Sequence, residues 1–246
     1  MKKHLHYLSV SQTPLTACVY VLIYHICRRL DLDEGNFASF NLRRLLTTEN
    51  AVSSFLQDHE IVFKIIDGAI VPFVYGKRIN LVSSRSRFEA NLTKRLLGAS
   101  GTTDTCVNGF ALVDLIQKNP YFSYYSECPE LIRMLDHILP SLGLLHDFHE
   151  QSSTYLVSYP VEIANVILDG YEQASSCDKV EELVRCYLER LLHGFGNDEL
   201  INADPGNIVL RVSDDVDLSG RGCVVRKYKN GRVELLQDIT QGMKCA

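Results

Sequence analysis

The sequence lacks closely spaced cysteines, apolar runs of membrane-spanning length, internal repeats and low-complexity segments. Its eight cysteines are scattered without a Cys-x-x-Cys pair, which is typical of reduced thiols in a protein core. The most apolar stretch covers residues 15–27 and is shorter than the roughly 20 residues that span a bilayer. No small-residue cleavage site follows the first lysines, so a signal peptide is not indicated. We therefore expect a cytoplasmic protein that does not enter the membrane.

Length and charge set the next limits. The chain has 246 residues, of which 46% are hydrophobic and 22% are charged, and this composition suits one large domain or two small ones. The formal net charge of -5 argues against a surface that binds nucleic acid over its whole extent. Any contact with DNA or RNA must therefore be local.

Residues 13–30 predict an amphipathic helix. Thr13 suits the N-cap, Pro14 suits the first helical position, and apolar residues then recur at helical spacing as far as Leu30. The opposite face is apolar too, so we expect the helix to be covered on two sides, by its own domain or by a partner protein. The candidate partner-binding residues on that second face are Tyr20, Val21 and Tyr24.

The next residues predict two short helices and a β-hairpin. Residues 42–56 have a helical pattern that polar residues interrupt near position 49, which indicates two helices instead of one. Apolar runs flank Asp67-Gly68, a dipeptide that favours a tight hairpin turn. Pro72 lacks the N–H group that a central strand needs, so its strand is expected at a sheet edge.

A loop-like stretch at residues 98–105 is the predicted boundary between two regions, 1–100 and 101–246. The first region holds the amino-terminal helix and the hairpin. The second region holds a winged-helix-like element, a further helix and a final hairpin.

The winged-helix pattern covers residues 110–159. It consists of predicted helices near residues 110–116 and 130–139, followed by a two-stranded wing from residue 144 onward. The helix over residues 178–193 is the best formed, and Asn230-Gly231 indicates the final hairpin. The predicted fold class is therefore α+β, with helical bundle elements and antiparallel hairpins that include a winged-helix-like element.

One local surface is strongly basic. Between residues 77 and 95, six basic side chains are opposed only by Glu89, and the serines among them suit phosphate binding. The alternative is a solvated surface that the acidic remainder of the protein balances. In a winged helix, the helix predicted at residues 130–139 would be the recognition helix. It is poorly suited to binding DNA, because the acidic side chains of Glu130 and Asp136 offset the basic side chains of Arg133 and His137. The candidate nucleic-acid contacts are Lys77, Arg78, Arg85, Arg87, Lys94 and Arg95.

No catalytic residue, cofactor or metal site is predicted. The histidines and acids at residues 146–150 have no further ligands at a familiar spacing, and the loop at 98–105 lacks the Gly-Lys-Ser/Thr ending of a phosphate-binding loop. A cryptic enzyme, a transferase or a hydrolase, is the alternative, because catalytic partners often meet only in the fold. An apolar cleft that joins some of His25, His59, Asp104 and Cys106 would support it.

The apolar amino-terminal helix, the winged-helix pattern and the lack of a catalytic motif together resemble the small accessory subunits that accompany SMC-type ATPases. Examples are the middle subunits of three-component bacterial defence systems of the Lamassu or Ddm kind. The resemblance implies a non-enzymatic subunit that bridges an SMC-like ATPase and an effector nuclease, in a system directed against plasmid or phage DNA.

Our leading hypothesis is a scaffold or regulatory subunit of a multi-protein complex that acts on DNA. In it, the helix at 13–30 and the winged element bind partner proteins, and the basic surface contacts DNA. A winged-helix DNA-binding regulator is a second alternative beside the cryptic enzyme. It predicts binding that weakens steeply as the salt concentration rises.

Overall fold

A computed structural model describes residues 19–31, 38–80, 87–97, 105–113, 116–194, 207–218, 225–229 and 232–237. These residues form α-helices and antiparallel sheets, which confirms the predicted α+β class. The helices are α1 Leu42–Thr47, α2 Ala51–Asp58, α3 Arg87–Leu97, α4 Pro120–Glu127, α5 Glu130–Ile138, α6 Leu144–Glu150 and α7 Ser176–Gly194. The strands are β1 Tyr20–Leu30, β2 Ile61–Ile66, β3 Ala69–Val74, β4 Lys77–Arg78, β5 Val107–Phe110, β6 Ser152–Glu162, β7 Val166–Leu168, β8 Val209–Val212, β9 Val225–Lys229 and β10 Arg232–Gln237.

The larger sheet has seven strands in the order β10-β9-β6-β1-β5-β8-β7. Its longest pairing joins β1 and β6 in antiparallel register, from Tyr20 opposite Glu162 to Leu30 opposite Ser152. Strand β1 therefore lies at the centre of the sheet, with β6 on one side and β5 on the other.

The helix predicted over residues 13–30 is wrong for its described part, because residues 20–30 form strand β1. A central strand is covered on both faces and therefore has a nearly continuous apolar run, which periodicity alone does not separate from a buried helix. Aromatic and β-branched residues dominate the run, and they favour a strand. Residues 13–18 lie outside the described part of the chain.

The two-stranded wing predicted from residue 144 onward is also wrong. Residues 144–150 form helix α6, and β6 pairs with β1 and β9 instead of a neighbouring wing strand. Leu144 and Phe148 are buried, whereas His146 is exposed. A strand would place all three on one face, so the pattern fits a helix. The predicted helix at residues 130–139 is confirmed as α5, but residues 107–110 form strand β5 where a helix was expected to begin.

The smaller sheet confirms the hairpin at Asp67-Gly68 and has the order β2-β3-β4. Pro72 lies in the middle strand, so the edge position predicted for it is wrong as stated. Its carbonyl oxygen accepts a hydrogen bond from the N–H group of Ile79, just beyond the two paired residues of β4. Pro72 is tolerated because β4 ends beside the position where its missing N–H group would point.

Among the described residues, three apolar clusters form the core. One joins the small sheet to helices α1, α2, α3, α5 and α6 and includes Leu30 from β1. The second covers one face of the large sheet, where Val180 and Leu183 of α7 pack. The third covers the opposite face, where Phe122 and Tyr125 of α4 pack. None of the helices in the described ranges is long and apolar enough to span a bilayer.

The proposed boundary at residues 98–105 stays a prediction, and residues 98–104 lie outside the described part of the chain. Strand β1 precedes that boundary in sequence but is hydrogen-bonded to β6, which follows it.

Candidate functional site

Strands β1 and β5 separate soon after they meet. Their only register pair in the described ranges is Tyr24 opposite Phe110, although β1 continues to Leu30. Gly109 marks the close approach beside this pair, because a Cβ atom there would lie 2.8 Å from the carbonyl oxygen of Tyr24. A cavity of about 520 Å³ occupies the space between the separated strands and the helices.

The cavity has an apolar wall with a few polar groups, which is the usual composition of a small-molecule site. Residues 25–30 of β1 and residues 105–110 line the sheet side. The helical side is lined by Leu42, Leu45, Val52, Tyr121, Tyr125 and Leu131. Its volume lies within the range of about 300–1,000 Å³ that ligand pockets occupy.

His25 is a neutral hydrogen-bond acceptor in this wall. Its Nδ1 lies 2.5 Å from the main-chain oxygen of Asn108. A carbonyl oxygen only accepts, so Nδ1 carries the proton. Burial, with a smaller effect from the charge of Arg29, lowers the pKa of His25 to about 4, although the hydrogen bond to Asn108 acts in the opposite direction. At neutral pH, Nε2 therefore has a free lone pair, and it has no hydrogen-bond partner among the described residues.

Asn108 contributes a side-chain amide to the same wall. Its Oδ1 is buried and has no hydrogen-bond partner in the described part of the protein. A buried oxygen left in this way costs about 1–3 kcal/mol. Its Nδ2 also makes no hydrogen bond to a described residue. Both residues line the cavity, but alternation along β1 and β5 places the His25 side chain on the α7 side of the large sheet and the Asn108 side chain on the α4 side.

The cavity wall includes the charged side chains of Arg28, Arg29, Glu49, Arg95 and Glu130, and several of them are paired. The guanidinium of Arg29 donates to the oxygens of Ala38, Ser39 and Tyr159 at 2.8–3.0 Å. Arg95 lies 2.6 Å from Glu130. The carboxylate of Glu130 and burial both raise the pKa of the Tyr125 phenol, burial having the larger effect. Arg29, Arg95 and Glu130 are therefore held by protein partners, whereas the exposed carboxylate of Glu49 also lies at the cavity wall.

The cleft expected for a cryptic enzyme brings together only some of the four residues named for it. His25 and Cys106 line one cavity. His59 lies elsewhere, with its ring nitrogens 2.8 Å from the oxygen of Phe55 and 3.0 Å from Asp147. Asp104 lies outside the described residues. Because general bases act best with a pKa near the working pH, the low pKa of His25 makes it a weak base at neutral pH.

The predicted basic surface is divided in the structure. Lys77 and Arg78 are exposed in β4, and Arg87 and Lys94 are exposed on α3. Arg95 is half-buried and pairs with Glu130, and Arg85 lies outside the described residues.

The three candidate partner-binding residues lie on a strand and not on one helical face. Tyr20 is exposed, whereas Val21 packs on the α7 side of the sheet and Tyr24 packs on the α4 side. Successive residues of a strand point to opposite faces, which separates Val21 from Tyr20 and Tyr24.

A second surface is the apolar face of α7, which sequence reasoning treated only as part of a well-formed helix. Val180 and Leu183 cover the large sheet, but the apolar stripe continues past them on side chains that remain exposed. The stripe itself was visible in the sequence, but which part of it the sheet covers was not. We call these exposed residues the α7 face: Val184, Tyr187, Leu188, Leu191 and Leu192.

Acidic side chains border the α7 face. The helical period places Glu181, Glu182 and Glu189 along one side of the stripe, together with Arg185. Arg185 pairs with Glu182 and, at 2.6 Å, with Glu189. The hydrogen bond from Arg185 lowers the pKa of Glu182 to about 2. This border is therefore an ordered, net negative surface.

The remaining candidates give no site in the described residues. The histidines at 146 and 149 lie on α6 and are exposed. Over the described ranges, no three side chains of His, Cys, Asp or Glu are grouped so that they could hold a metal ion. The five cysteines in these ranges are free thiols, of which Cys128 is buried in the core and Cys177 is exposed.

No protein-family model, curated protein or solved structure matches this chain. The resemblance to accessory subunits of SMC-type ATPases stays a prediction. Two of the elements that carried it, the amino-terminal helix and the wing, fold differently in the described residues.

Proposed function

We propose that this chain is a non-enzymatic scaffold or regulatory subunit of a multi-protein complex, and that the α7 face binds an amphipathic helix of a partner protein. The observation that carries the proposal is the exposure of five large apolar side chains on one helix, from 39% at Leu188 to 66% at Leu192. Contiguous apolar patches of this kind are typical of protein-binding surfaces.

The spacing of the α7 face favours a helix as its partner. Its residues stand at positions i, i+3, i+4, i+7 and i+8 from Val184, which form a straight seam along a helix. Ridges and grooves on such a seam pack against those of a second helix. A helix in this position would extend the apolar packing that Val180 and Leu183 begin against the sheet.

The acidic border favours a partner with basic flanks. Glu181 and Glu189 are exposed, and Arg185 is held by two carboxylates. Lysine or arginine beside the apolar stripe of the partner would complement this charge and exclude acidic helices. We therefore propose that the partner segment is an amphipathic helix whose apolar stripe is bordered by basic residues.

We further propose that the complex acts on DNA, in anti-plasmid or anti-phage defence with an SMC-like ATPase and a nuclease. Exposed basic side chains on β4 and α3 support a local contact with phosphates. They lie on a protein whose net charge is negative, so the contact would be confined to this surface.

Two synthetic peptides test the partner surface. Both carry leucines at the i, i+3, i+4, i+7 and i+8 positions, and they differ only in lysine or glutamate flanks. We expect the purified chain to bind the lysine peptide with a micromolar Kd in calorimetry. The double variant Leu188→Ser/Leu191→Ser should weaken this binding by about tenfold or more. Ile65→Ser is the control, because Ile65 is an exposed apolar side chain on β2, away from the α7 face.

Three results would contradict the proposal. They are equal binding of both peptides, equal binding by the double variant, and a dimer of this chain that the double variant abolishes. Coexpression with an SMC-like ATPase tests the larger assembly. The complex should form with Ile65→Ser and be lost with the double variant.

A further inference from the structure

We propose that the gap between β1 and β5 binds an extended segment of a partner protein, which pairs with β1 as an added antiparallel strand. The cavity of about 520 Å³ in this gap is the space that the added strand would fill. This site is separate from the α7 face, and nothing in the proposed scaffold role requires it. The two proposals therefore succeed or fail independently.

The main-chain groups of β1 alternate between its two edges. The N–H group of Ile163 donates to the oxygen of Val19 at 2.9 Å, and the N–H group of Asp31 donates to the oxygen of Gln151 at 2.8 Å. These two bonds lie at the ends of the register between β1 and β6. In an antiparallel pair, alternate residues exchange both main-chain bonds. The odd-numbered residues of β1 therefore bond to β6, and the even-numbered residues direct their N–H and C=O groups to the β5 side.

The even-numbered main-chain groups face the cavity where β5 leaves. After the single register pair between β1 and β5 in the described ranges, the next even-numbered residues are Ile26 and Arg28, and both line the cavity. If the ladder continued, Ile26 would pair with Asn108. The main-chain oxygen of Asn108 lies 2.5 Å from Nδ1 of His25, so a side chain holds the position where the ladder would continue. An open strand edge of this kind is a template for another strand.

The two walls of the gap differ in polarity. On the α4 side, Ile26 and Tyr125 pack in one apolar cluster and line the cavity. On the α7 side, Arg29 donates to Ser39 at 3.0 Å, and both residues line the cavity. Successive side chains of a strand point to opposite faces. An added strand with alternating apolar and polar residues would therefore place its apolar side chains on the α4 side and its polar side chains on the α7 side.

The size and charge of the cavity limit the segment. A strand residue extends about 3.4 Å along the strand, about 4.8 Å between strands and about 10 Å between layers, which is on the order of 160 Å³. The cavity therefore holds about three residues of an added strand. Charged side chains of both signs line it, among them Arg95 and Glu49. Net charge therefore favours neither an acidic nor a basic segment, and the alternation of apolar and polar residues is the feature that selects it.

Three peptides test the inference by calorimetry. The first is an acetylated and amidated pentapeptide of alternating leucine and threonine, and the other two are N-methylated at the leucines or at the threonines. Residues that exchange bonds with Ile26 and Arg28 have side chains on the same face as theirs, which is the apolar α4 side. Methylation of the leucines should therefore weaken binding by about tenfold or more, and methylation of the threonines by less than about threefold. A shift of one residue would reverse the two faces, so the alternation fixes the register.

Amide hydrogen exchange on the complete chain locates the bound peptide. In the free chain, the amides of Ile26 and Arg28 should exchange faster than the amide of Cys27, which faces β6. A saturating concentration of the unmethylated pentapeptide should slow exchange at Ile26 and Arg28 by about tenfold or more, and at Cys27 by less than about twofold. Leu188→Ser/Leu191→Ser is the control variant, and it should bind the pentapeptide as the original chain does.

Four results would overturn the inference. The first is slow exchange at Ile26 and Arg28 in the free chain, because it would show that another part of this chain or a second copy already pairs with this edge. The second is failure of the unmethylated pentapeptide to bind. The third is an equal effect of the two methylations. The fourth is loss of pentapeptide binding in the double variant, which would assign the peptide to the α7 face.

Discussion

Gly109 of β5 lies so close to Tyr24 of β1 that a Cβ atom on it would be 2.8 Å from the Tyr24 carbonyl oxygen. The same Cβ would be 2.5 Å from Cγ2 of Ile23. This contact stands beside the last register pair before the two strands separate. Glycine is therefore required at position 109, because β1 leaves no space there for a Cβ atom. The cavity opens next to this contact, where the two strands separate.

We expect Gly109→Ala to lower the free energy of unfolding by about 1–3 kcal/mol, because main-chain atoms must move to admit the methyl group. Urea denaturation measures this change. Gly68→Ala is the comparison, since Gly68 has open space around it but a φ of 80°, and strain there costs about 1 kcal/mol. A smaller loss at Gly109 than at Gly68 would contradict the steric argument.

Arg28 ties β1 to the residues around α6 and β6. Its guanidinium donates to the side chain and main chain of Ser152 at 2.7 and 2.8 Å and to the oxygen of His149 at 2.9 Å. Because lysine lacks the planar fork that makes these bonds, we expect Arg28→Lys to destabilise the fold by about 2 kcal/mol. Arg43→Lys is the matched control, and it should change stability by less than about 0.5 kcal/mol because Arg43 is exposed. Equal effects in chemical denaturation would contradict this role for Arg28.

His25 should make stability depend on pH. Its folded pKa of about 4 lies below the ordinary histidine value of 6.5, chiefly because burial disfavours the charged ring. Between these values the unfolded chain binds more protons, so the free energy of unfolding falls as the pH decreases from about 6.5 to 4. The loss is on the order of 2–3 kcal/mol.

The measurement is urea denaturation at several pH values, with His25→Gln as the comparison. Glutamine can donate to the oxygen of Asn108 but does not titrate. The variant should have a shallower fall in stability over this pH interval than the original chain. Parallel curves would show that His25 is not the group responsible.

The exposed basic side chains give a salt-dependent prediction for DNA. If they contact phosphates, the logarithm of the binding constant for duplex DNA falls linearly with the logarithm of salt concentration. Arg87→Ala and Lys94→Ala should each reduce the slope by about one unit in fluorescence anisotropy. Arg95→Ala should reduce it less, because Glu130 already holds that guanidinium. Unchanged slopes for Arg87→Ala and Lys94→Ala would reject this DNA surface.

Local chemistry predicted several elements well. Asp67 and Gly68 have φ values of 51° and 80°, which are the left-handed values that their dipeptide favours in a hairpin turn. Asn50 forms a capping box at the start of α2, and so separates the two short helices expected over residues 42–56. In each case a few adjacent residues form the deciding bonds among themselves, so the sequence is sufficient.

The candidate site was only partly predictable. His25 and Cys106 were among the residues named for a cleft, and they line one cavity. Asn108 was not named, because nothing near it in sequence indicates that its amide oxygen is buried without a partner. The α7 face was visible as an apolar stripe, but its exposure depends on how far the sheet extends beneath the helix.

The sequence by itself determined the α+β class, the hairpin turn at Asp67-Gly68, the short capped helices and the long helix α7, because bonds within a few residues decide each of them. Only the tertiary structure decided that residues 20–30 form a strand, since the hydrogen bonds that select it come from β6, more than a hundred residues later. It also decided where β1 leaves β5 and a cavity opens. Such features depend on pairings between distant residues, and a local pattern of apolar side chains is compatible with more than one of them.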